Sequence, residues 1–268
     1  MSATPGIMLV TGASDGIGFE TARQLLALGH SVLVHGRHEA RAREAIANLG
    51  RTNGTALPVW GDFARLDEVV ALARQVSALT TRLDVLINNA GLYAARRSLT
   101  VDGFELTMGV NHFAPFLLTH HLQALLVGSA GARIVNVSSM THDGADFDVS
   151  DLDLTHDWSA YGAYATSKLA NVLFTRGLAA RLGGVSANAL HPGVIGTKLL
   201  KNAFRMQGAA VADGARTSVH LATSPAVAGI TGSYFDNCRE RGADRRAGDK
   251  RLVDALWQAS RQRLAAWL

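Results

Sequence analysis

A short apolar run at 7–10 leads directly into the glycine turn Thr11-Gly12-Ala13-Ser14-Asp15-Gly16-Ile17-Gly18, and apolar residues then recur at helical spacing over 19–28. No other feature constrains the fold of this chain as strongly. Glycines between a strand and a helix permit a tight turn and close packing of the two elements. They also let backbone N–H groups face an anion at the helix start, where the dipole favours negative charge. The unit is the opening half of a strand–helix–strand crossover.

The alternation continues. Strand-like runs at 31–35, 55–60, 85–88, 133–138 and 185–190 are separated by helical patterns at 39–49, 66–78, 103–126 and 161–182. This predicts an α/β fold, a doubly wound parallel sheet with helices on both faces. Of the 268 residues, 48% are hydrophobic and 18% charged, which suits a large buried sheet rather than a disordered chain. No repeat or linker divides the chain, so a single domain is expected. Residues 252–268 read as an amphipathic helix that packs on it. Two stretches break the rhythm: 140–159, with six Asp and no Lys or Arg, and the irregular 202–211. Both follow strand ends, where open α/β sheets take ligands.

Net charge is +4, and many basic residues sit late, at Arg239, Arg241, Arg245, Arg246, Lys250 and Arg251. No nucleic-acid motif accompanies them, so a solvated surface is expected and a nucleic-acid partner is not. Cys238 is the only cysteine, which points to a reducing compartment. The N-terminal stretch lacks a basic region and a long apolar run, so neither a signal peptide nor a membrane span is expected, and the localisation read is cytoplasmic.

The glycine turn predicts a dinucleotide pyrophosphate site formed by Gly12, Ser14, Asp15, Gly16, Ile17 and Gly18, although the spacing Gly-x-x-x-Gly-x-Gly differs from the commoner Gly-x-Gly-x-x-Gly. The second strand ends in His35-Gly36-Arg37-His38 without an acid. An acid there would accept from a ribose 2′-hydroxyl, whereas the planar fork of Arg37 suits a 2′-phosphate. NADP(H) is therefore expected ahead of NAD(H), with the charge of Asp15 opposing the preference. Asp62, with Phe63 beside it, follows the third strand and is placed for the adenine amine. Asn89, Ala90 and Gly91 end the fourth, where small residues allow backbone approach.

Tyr164 and Lys168 lie four apart in a helical segment and share a face. A phenol ordinarily titrates near 10. A neighbouring ammonium favours phenolate, so Lys168 and a positive nicotinamide are expected to share in lowering Tyr164 and to make it a general acid and base. Ser139 at the end of the fifth strand can orient a substrate oxygen, and Asn111 can hold a water that links Lys168 to solvent. Tyr161 and Ser138 compete with Tyr164 and Ser139. Strand alternation sends the two serines to opposite faces, so only one serves. His112, His120 and His121 lack convergent carboxylate or cysteine partners, and the six-Asp insert lacks a regular calcium loop, so no metal is expected. No Gly-x-Ser-x-Gly elbow surrounds Ser139, which argues against a hydrolase.

These pieces resemble the short-chain dehydrogenase/reductase family over nearly the whole chain: TGASDGIG (11–18), NNAG (88–91), VNHFAPFLLT (110–119), IVNVSS (134–139), YATSK (164–168) and HPGVIGT (191–197). The resemblance implies a Rossmann-type fold, with residues 1–268 as a single dinucleotide-binding catalytic domain and substrate-lobe segments at about 140–160 and 195–212. It implies a catalytic tetrad of Asn111, Ser139, Tyr164 and Lys168. It further implies that Tyr164 and Lys168 contact the cofactor, Lys168 at the nicotinamide ribose, with Pro192 and Gly193 beside the nicotinamide and Thr197 nearby. YGAYATSKLANVLFT and SYFDNCR resemble the retinol-dehydrogenase-like branch. Family members are often dimers or tetramers, which admits a homo-oligomer, although no residue here fixes one. The expected pocket is lined by Ser139, Tyr93, Met140, His142, Tyr161, Val194, Leu199 and Phe204, with Leu92 and Leu200 adjoining. Its apolar character suits a hydrophobic aldehyde, ketone or alcohol. The alternative is a non-catalytic NADP(H)-binding regulator.

Overall fold

Successive residues of a strand point to opposite faces of its sheet, and the apolar runs of this chain use both faces. The computed structural model describes residues 5–204 and 206–268; residues 1–4 of the N-terminal stretch and Arg205 lie outside the described residues. The chain runs β1 (Ile7–Val10), α1 (Gly16–Ala27), β2 (Ser31–Gly36), α2 (Glu39–Leu49), β3 (Ala56–Trp60), α3 (Leu66–Leu79) and β4 (Val85–Asn88). Next come α4 (Leu106–Met108), a π-helical turn (Gly109–Phe113), α5 (Ala114–Val127), β5 (Arg133–Val137), α6 (Ala160–Arg181) and β6 (Ser186–His191). The last elements are α7 (Lys198–Phe204), α8 (Val211–Thr223), β7 (Tyr234–Asp236), β8 (Arg239–Arg241) and α9 (Lys250–Arg263).

The sheet order is β3-β2-β1-β4-β5-β6-β7-β8, parallel except for the antiparallel β7–β8 pair. Leu9, Leu33, Leu86 and Ile134 pack on one face with residues of α3, α5, α6 and α9 such as Leu72, Leu117, Leu173 and Leu256. Val10, Val34, Ile87 and Val135 pack on the other with residues of α1 and α8 such as Leu25 and Leu221. The chain winds outward from β1 through β2 to β3, then returns to place β4 on the other side of β1. The connections that leave β1 and β4 run to opposite faces of the sheet and leave a crevice between them, the ligand position of an open α/β sheet.

Two expectations change. The predicted helix at 103–126 is interrupted by the π-helical turn that holds Asn111. Pro115 has no N–H to give to the Asn111 carbonyl four residues earlier, so an unbroken α-helical ladder is ruled out there. The segment 202–211 is only partly irregular, because α7 extends to Phe204 and α8 begins at Val211. The late basic cluster is largely a solvated surface, with Arg239, Arg241, Arg245, Lys250 and Arg251 exposed and Arg246 half-buried. Arg239 and Arg241 belong to β8, where charge on an exposed edge strand opposes pairing with another chain. Arg246 donates to Asp244 and to the Ala145 carbonyl. No helix among the described residues is long and apolar enough to cross a membrane.

Candidate active site

The glycine turn is built by close backbone approach. Gly12 has φ 64° and lies against the end of β4, so that a Cβ on it would meet Ala90 Cα at 2.9 Å. A Cβ on Gly18 would stand 2.3 Å from the Gly12 carbonyl oxygen. Gly16 (φ 56°) faces open space, its nearest neighbour being Thr197 Cγ2 at 3.6 Å from an added Cβ. Thr11 Oγ1 accepts the Asn89 and Ala90 N–H groups, and Asn89 Nδ2 donates to the Thr11 carbonyl, which fixes the β4 end against the turn. The result is a narrow glycine-lined turn at the start of α1, a shape and dipole that fit a pyrophosphate. Asp15 caps α1 at Gly16 and pairs with Lys198 from α7. The Lys198 ammonium holds the Asp15 carboxyl below the usual range, and its charge offsets the repulsion expected of Asp15.

Beyond the end of β2 Arg37 is largely exposed, with its Nε 3.9 Å from Asp62 Oδ1. Asp62 Oδ1 also accepts the Ala64 N–H, so the carboxylate shapes the turn after β3. The Phe63 ring is buried in the core, 4.9 Å from the His35 ring.

The reacting groups converge at the C-terminal edge of the sheet. Both Tyr164 and Lys168 are buried on α6, with Lys168 Nζ 5.4 Å from the phenol ring centroid. β5 grips Lys168 at two points: Nζ donates to the Val137 carbonyl at 3.0 Å, and Ser138 Oγ donates to the Lys168 carbonyl at 2.7 Å. Ser138 is thereby spent inside the fold, while Ser139 stands beside the phenol. Tyr161 is 46% exposed and lies at the rim, so Tyr164 is the tyrosine that meets Lys168.

Burial dominates the charge balance of the pair. Burial pushes the Tyr164 phenol up to about 12, and the neighbouring Ser139 hydroxyl offsets only part of that. Burial pushes Lys168 down to about 8. Lys168 alone therefore does not lower the phenol, because dehydration favours the neutral form of both groups. Asn111 bridges the strand end and α6. Its Oδ1 accepts the Leu92 N–H, and its Nδ2 donates to the Leu92 carbonyl and to Ser167 Oγ. Oδ1 keeps a second lone pair. Sequence reasoning did not find Ser167, which also donates to the Tyr164 carbonyl and so ties Asn111 to the tyrosine's own turn. Its position next to Lys168 was the available signal.

Aromatic rings wall the crevice. Tyr93 lies 5.6 Å from Tyr164 and 5.3 Å from Phe204, and Phe204 lies 6.2 Å from Tyr164 and 6.5 Å from Tyr161. Met140 and Val194 are exposed near the mouth, while Leu199, Leu200 and Leu92 are half-buried. Pro192 and Gly193, with Gly193 at φ 95°, follow β6. His142 is a correction. It is buried, its Nδ1 hydrogen-bonds the Ser139 carbonyl at 2.7 Å, and its Nε2 accepts the Asp244 N–H at 3.1 Å. Both ring nitrogens are used within the fold, so it supports the serine from behind. Three of the six insert aspartates are likewise engaged: Asp148 with Ser150, Asp151 with Thr155 and His156, and Asp153 with Arg263.

A parallel α/β sheet with a glycine cradle at its crevice, next to a buried Tyr–Lys pair, defines a dinucleotide-binding protein equipped for proton exchange. The sequence pattern of the short chain dehydrogenase family matches residues 6–208. The chain is 40% identical to retinol dehydrogenase 14 of Homo sapiens, covering 96% of this chain and 87% of that one. Among solved structures it resembles an uncharacterized protein from Mycobacterium Paratuberculosis (TM-score 0.78, 32% identity, 96% and 92% covered). It also resembles a short chain dehydrogenase from Shigella flexneri complexed with NADP (TM-score 0.70, 26% identity, 87% and 97% covered). The chain belongs to the short-chain dehydrogenase/reductase family, in its retinol-dehydrogenase-like branch. It is an oxidoreductase acting on CH–OH and C=O groups, and the reading as a non-catalytic regulator falls away.

Proposed function

We propose that the protein interconverts a hydrophobic aldehyde or ketone and its alcohol, with NADP(H) preferred over NAD(H). The observation that carries this reading is the buried Tyr164–Lys168 pair with Ser139 beside the phenol, at the open edge of the glycine cradle. A bound dinucleotide supplies the hydride in reduction and takes it up in oxidation. Ser139 donates to the carbonyl oxygen and holds it toward the phenol. Tyr164 gives its proton to that oxygen as negative charge develops there, and takes the proton back in the reverse direction. A neutral phenol at rest, as burial dictates, suits the donor role in reduction. Lys168, held by Val137 and Ser138, presents its ammonium under Gly91, where an added Cβ would lie 3.5 Å from Nζ. That opening lets a ribose approach the amine.

The cofactor preference is supported by exposed Arg37 at the end of β2, and by the NADP held in the Shigella flexneri relative. The substrate class is supported by the aromatic wall of Tyr93, Tyr161 and Phe204 and by the half-buried leucines of α7. The segments 140–160 and 195–212 form the substrate lobe in this reading. The second is closed at its base by Ala209 N–H to Val194 O and Gly196 N–H to Ala209 O. A cytoplasmic setting belongs to the same reading, in keeping with Cys238 as the only cysteine. The test is to offer NADPH and NADH with lipophilic aldehydes and ketones, and NADP⁺ and NAD⁺ with the alcohols. Turnover is expected on apolar substrates with NADPH ahead of NADH. Turnover confined to strongly anionic substrates, or faster with NADH, contradicts the proposal.

A further inference from the structure

His35 ends β2 directly beneath the glycine turn and belongs to no part of the machinery described above. It is 3% exposed, yet both ring nitrogens are partnered. Nδ1 lies 2.9 Å from the Gly12 N, and Nε2 lies 2.9 Å from the Gly61 carbonyl oxygen at the end of β3. A backbone N–H only donates and a carbonyl only accepts, so the arrangement admits one tautomer: a neutral ring with its proton on Nε2. The Ala13 N–H donates to the His35 carbonyl at 2.8 Å, so residue 35 holds two consecutive amides of the turn, one with its ring and one with its backbone. Phe63 packs against the ring and keeps it in place.

We propose that His35 is a positioning residue for the cofactor cradle: its Nδ1 fixes the Gly12 amide, and so aims the amides that follow at the dinucleotide phosphates. The proposal rests on the dinucleotide reading of the crevice. Gly12 is in the left-handed region and abuts Ala90, so its peptide has no side chain of its own to hold it. An apolar residue at position 35 would fill the space and leave a buried N–H without a partner. Burial keeps the ring neutral, with its titration pushed down to about 4, so the acceptor on Nδ1 persists across the neutral range.

The two ring bonds can be separated by substitution. His35→Asn places an amide oxygen near the Nδ1 position and loses the reach to Gly61. His35→Gln reaches toward Gly61 with its amide and lacks an acceptor at Nδ1. His35→Leu lacks both. The dissociation constant for NADP⁺ is measured for each by titration calorimetry, beside the thermal midpoint. The account expects His35→Asn within about threefold of the parent, and His35→Gln and His35→Leu weaker by about tenfold or more. If His35→Leu fails to fold, the Asn and Gln variants alone decide. Equal affinities for Asn and Gln, or an Asn variant weakened tenfold, overturn the role of His35 and leave the dinucleotide reading standing. A parent protein that binds neither NADP⁺ nor NAD⁺ overturns that reading and this proposal with it.

Discussion

Gly18→Ala separates contact from conformation at the cofactor cradle. Gly18 has no left-handed φ, so alanine meets no backbone strain there. What it meets is the chain itself: the new methyl would lie 2.3 Å from the Gly12 oxygen and 2.8 Å from the Gly12 carbonyl carbon. These are backbone atoms, held by β1 and by the Asn89 side chain, and they cannot rotate aside. The turn must open. Overpacking of this kind costs about 1–3 kcal/mol of stability. An opened turn also misdirects the amides of the cradle. Loss of one charge-assisted hydrogen bond to phosphate is worth about 1.5–3 kcal/mol, or about ten- to hundredfold in affinity. Gly29→Ala is the control. Its φ of 89° imposes strain, but nothing lies within 4 Å of the added methyl, and the residue sits past the far end of α1. Urea unfolding and NADP⁺ titration are to be run on both variants. Gly29→Ala should lose stability with unchanged affinity, whereas Gly18→Ala should lose both. A Gly18→Ala protein that binds NADP⁺ as the parent does would refute the reading of this turn as the phosphate cradle.

Other expectations follow from individual contacts. Arg37→Asp should move cofactor preference from NADP(H) toward NAD(H) by about tenfold or more, read as the ratio of kcat/KM values, because a carboxylate repels a 2′-phosphate and accepts from a 2′-hydroxyl. Buried His35 and His112 have titrations pushed down to about 4 and about 3, below the unfolded value of about 6.5. Each is neutral in the fold, so unfolding takes up protons as pH falls. Their stabilisation is present above about 6.5 and is lost progressively down to about 4 and 3, at up to about 1.4 kcal/mol per pH unit for each ring. His112→Asn should flatten the dependence of unfolding free energy on pH between 6 and 4; an unchanged slope argues against a buried neutral ring. Trp257 packs against Phe116 and Phe174 and beneath the Arg181 guanidinium. Trp257→Ala should cost about 3 kcal/mol and raise hydrogen exchange in α9 before any change in NADP⁺ affinity.

Much of the fold is legible in the sequence because its strands are buried on both faces and stand out as β-branched runs between helical repeats. Strands β1 to β6 lie where those runs do, and α2 spans the expected residues. The strands β7 and β8 were missed because each has only three residues and their stability comes from the sheet edge they extend rather than from their own pattern. Helix α8 was missed for a similar reason. Gly214 weakens its propensity, yet is required where a methyl would press on Ile17 and Ile195 at 2.9 Å. At the site, the Tyr164–Lys168 spacing and the serine choice were readable from helix and strand periodicity. The contacts made by Asn111, His142 and Phe63 were not, because each depends on partners distant in sequence. The raised phenol was not readable either, since burial of a particular hydroxyl is a property of the packed molecule.

The central claim is that the Tyr164 hydroxyl moves the proton while the glycine turn holds the cofactor. Reduction of a lipophilic aldehyde by Tyr164→Phe, measured at saturating NADPH together with the NADPH dissociation constant, tests it most directly. The account predicts kcat lower by about 10²–10⁴-fold, with cofactor affinity within about threefold of the parent. A phenylalanine variant that turns over within about threefold of the parent would contradict it.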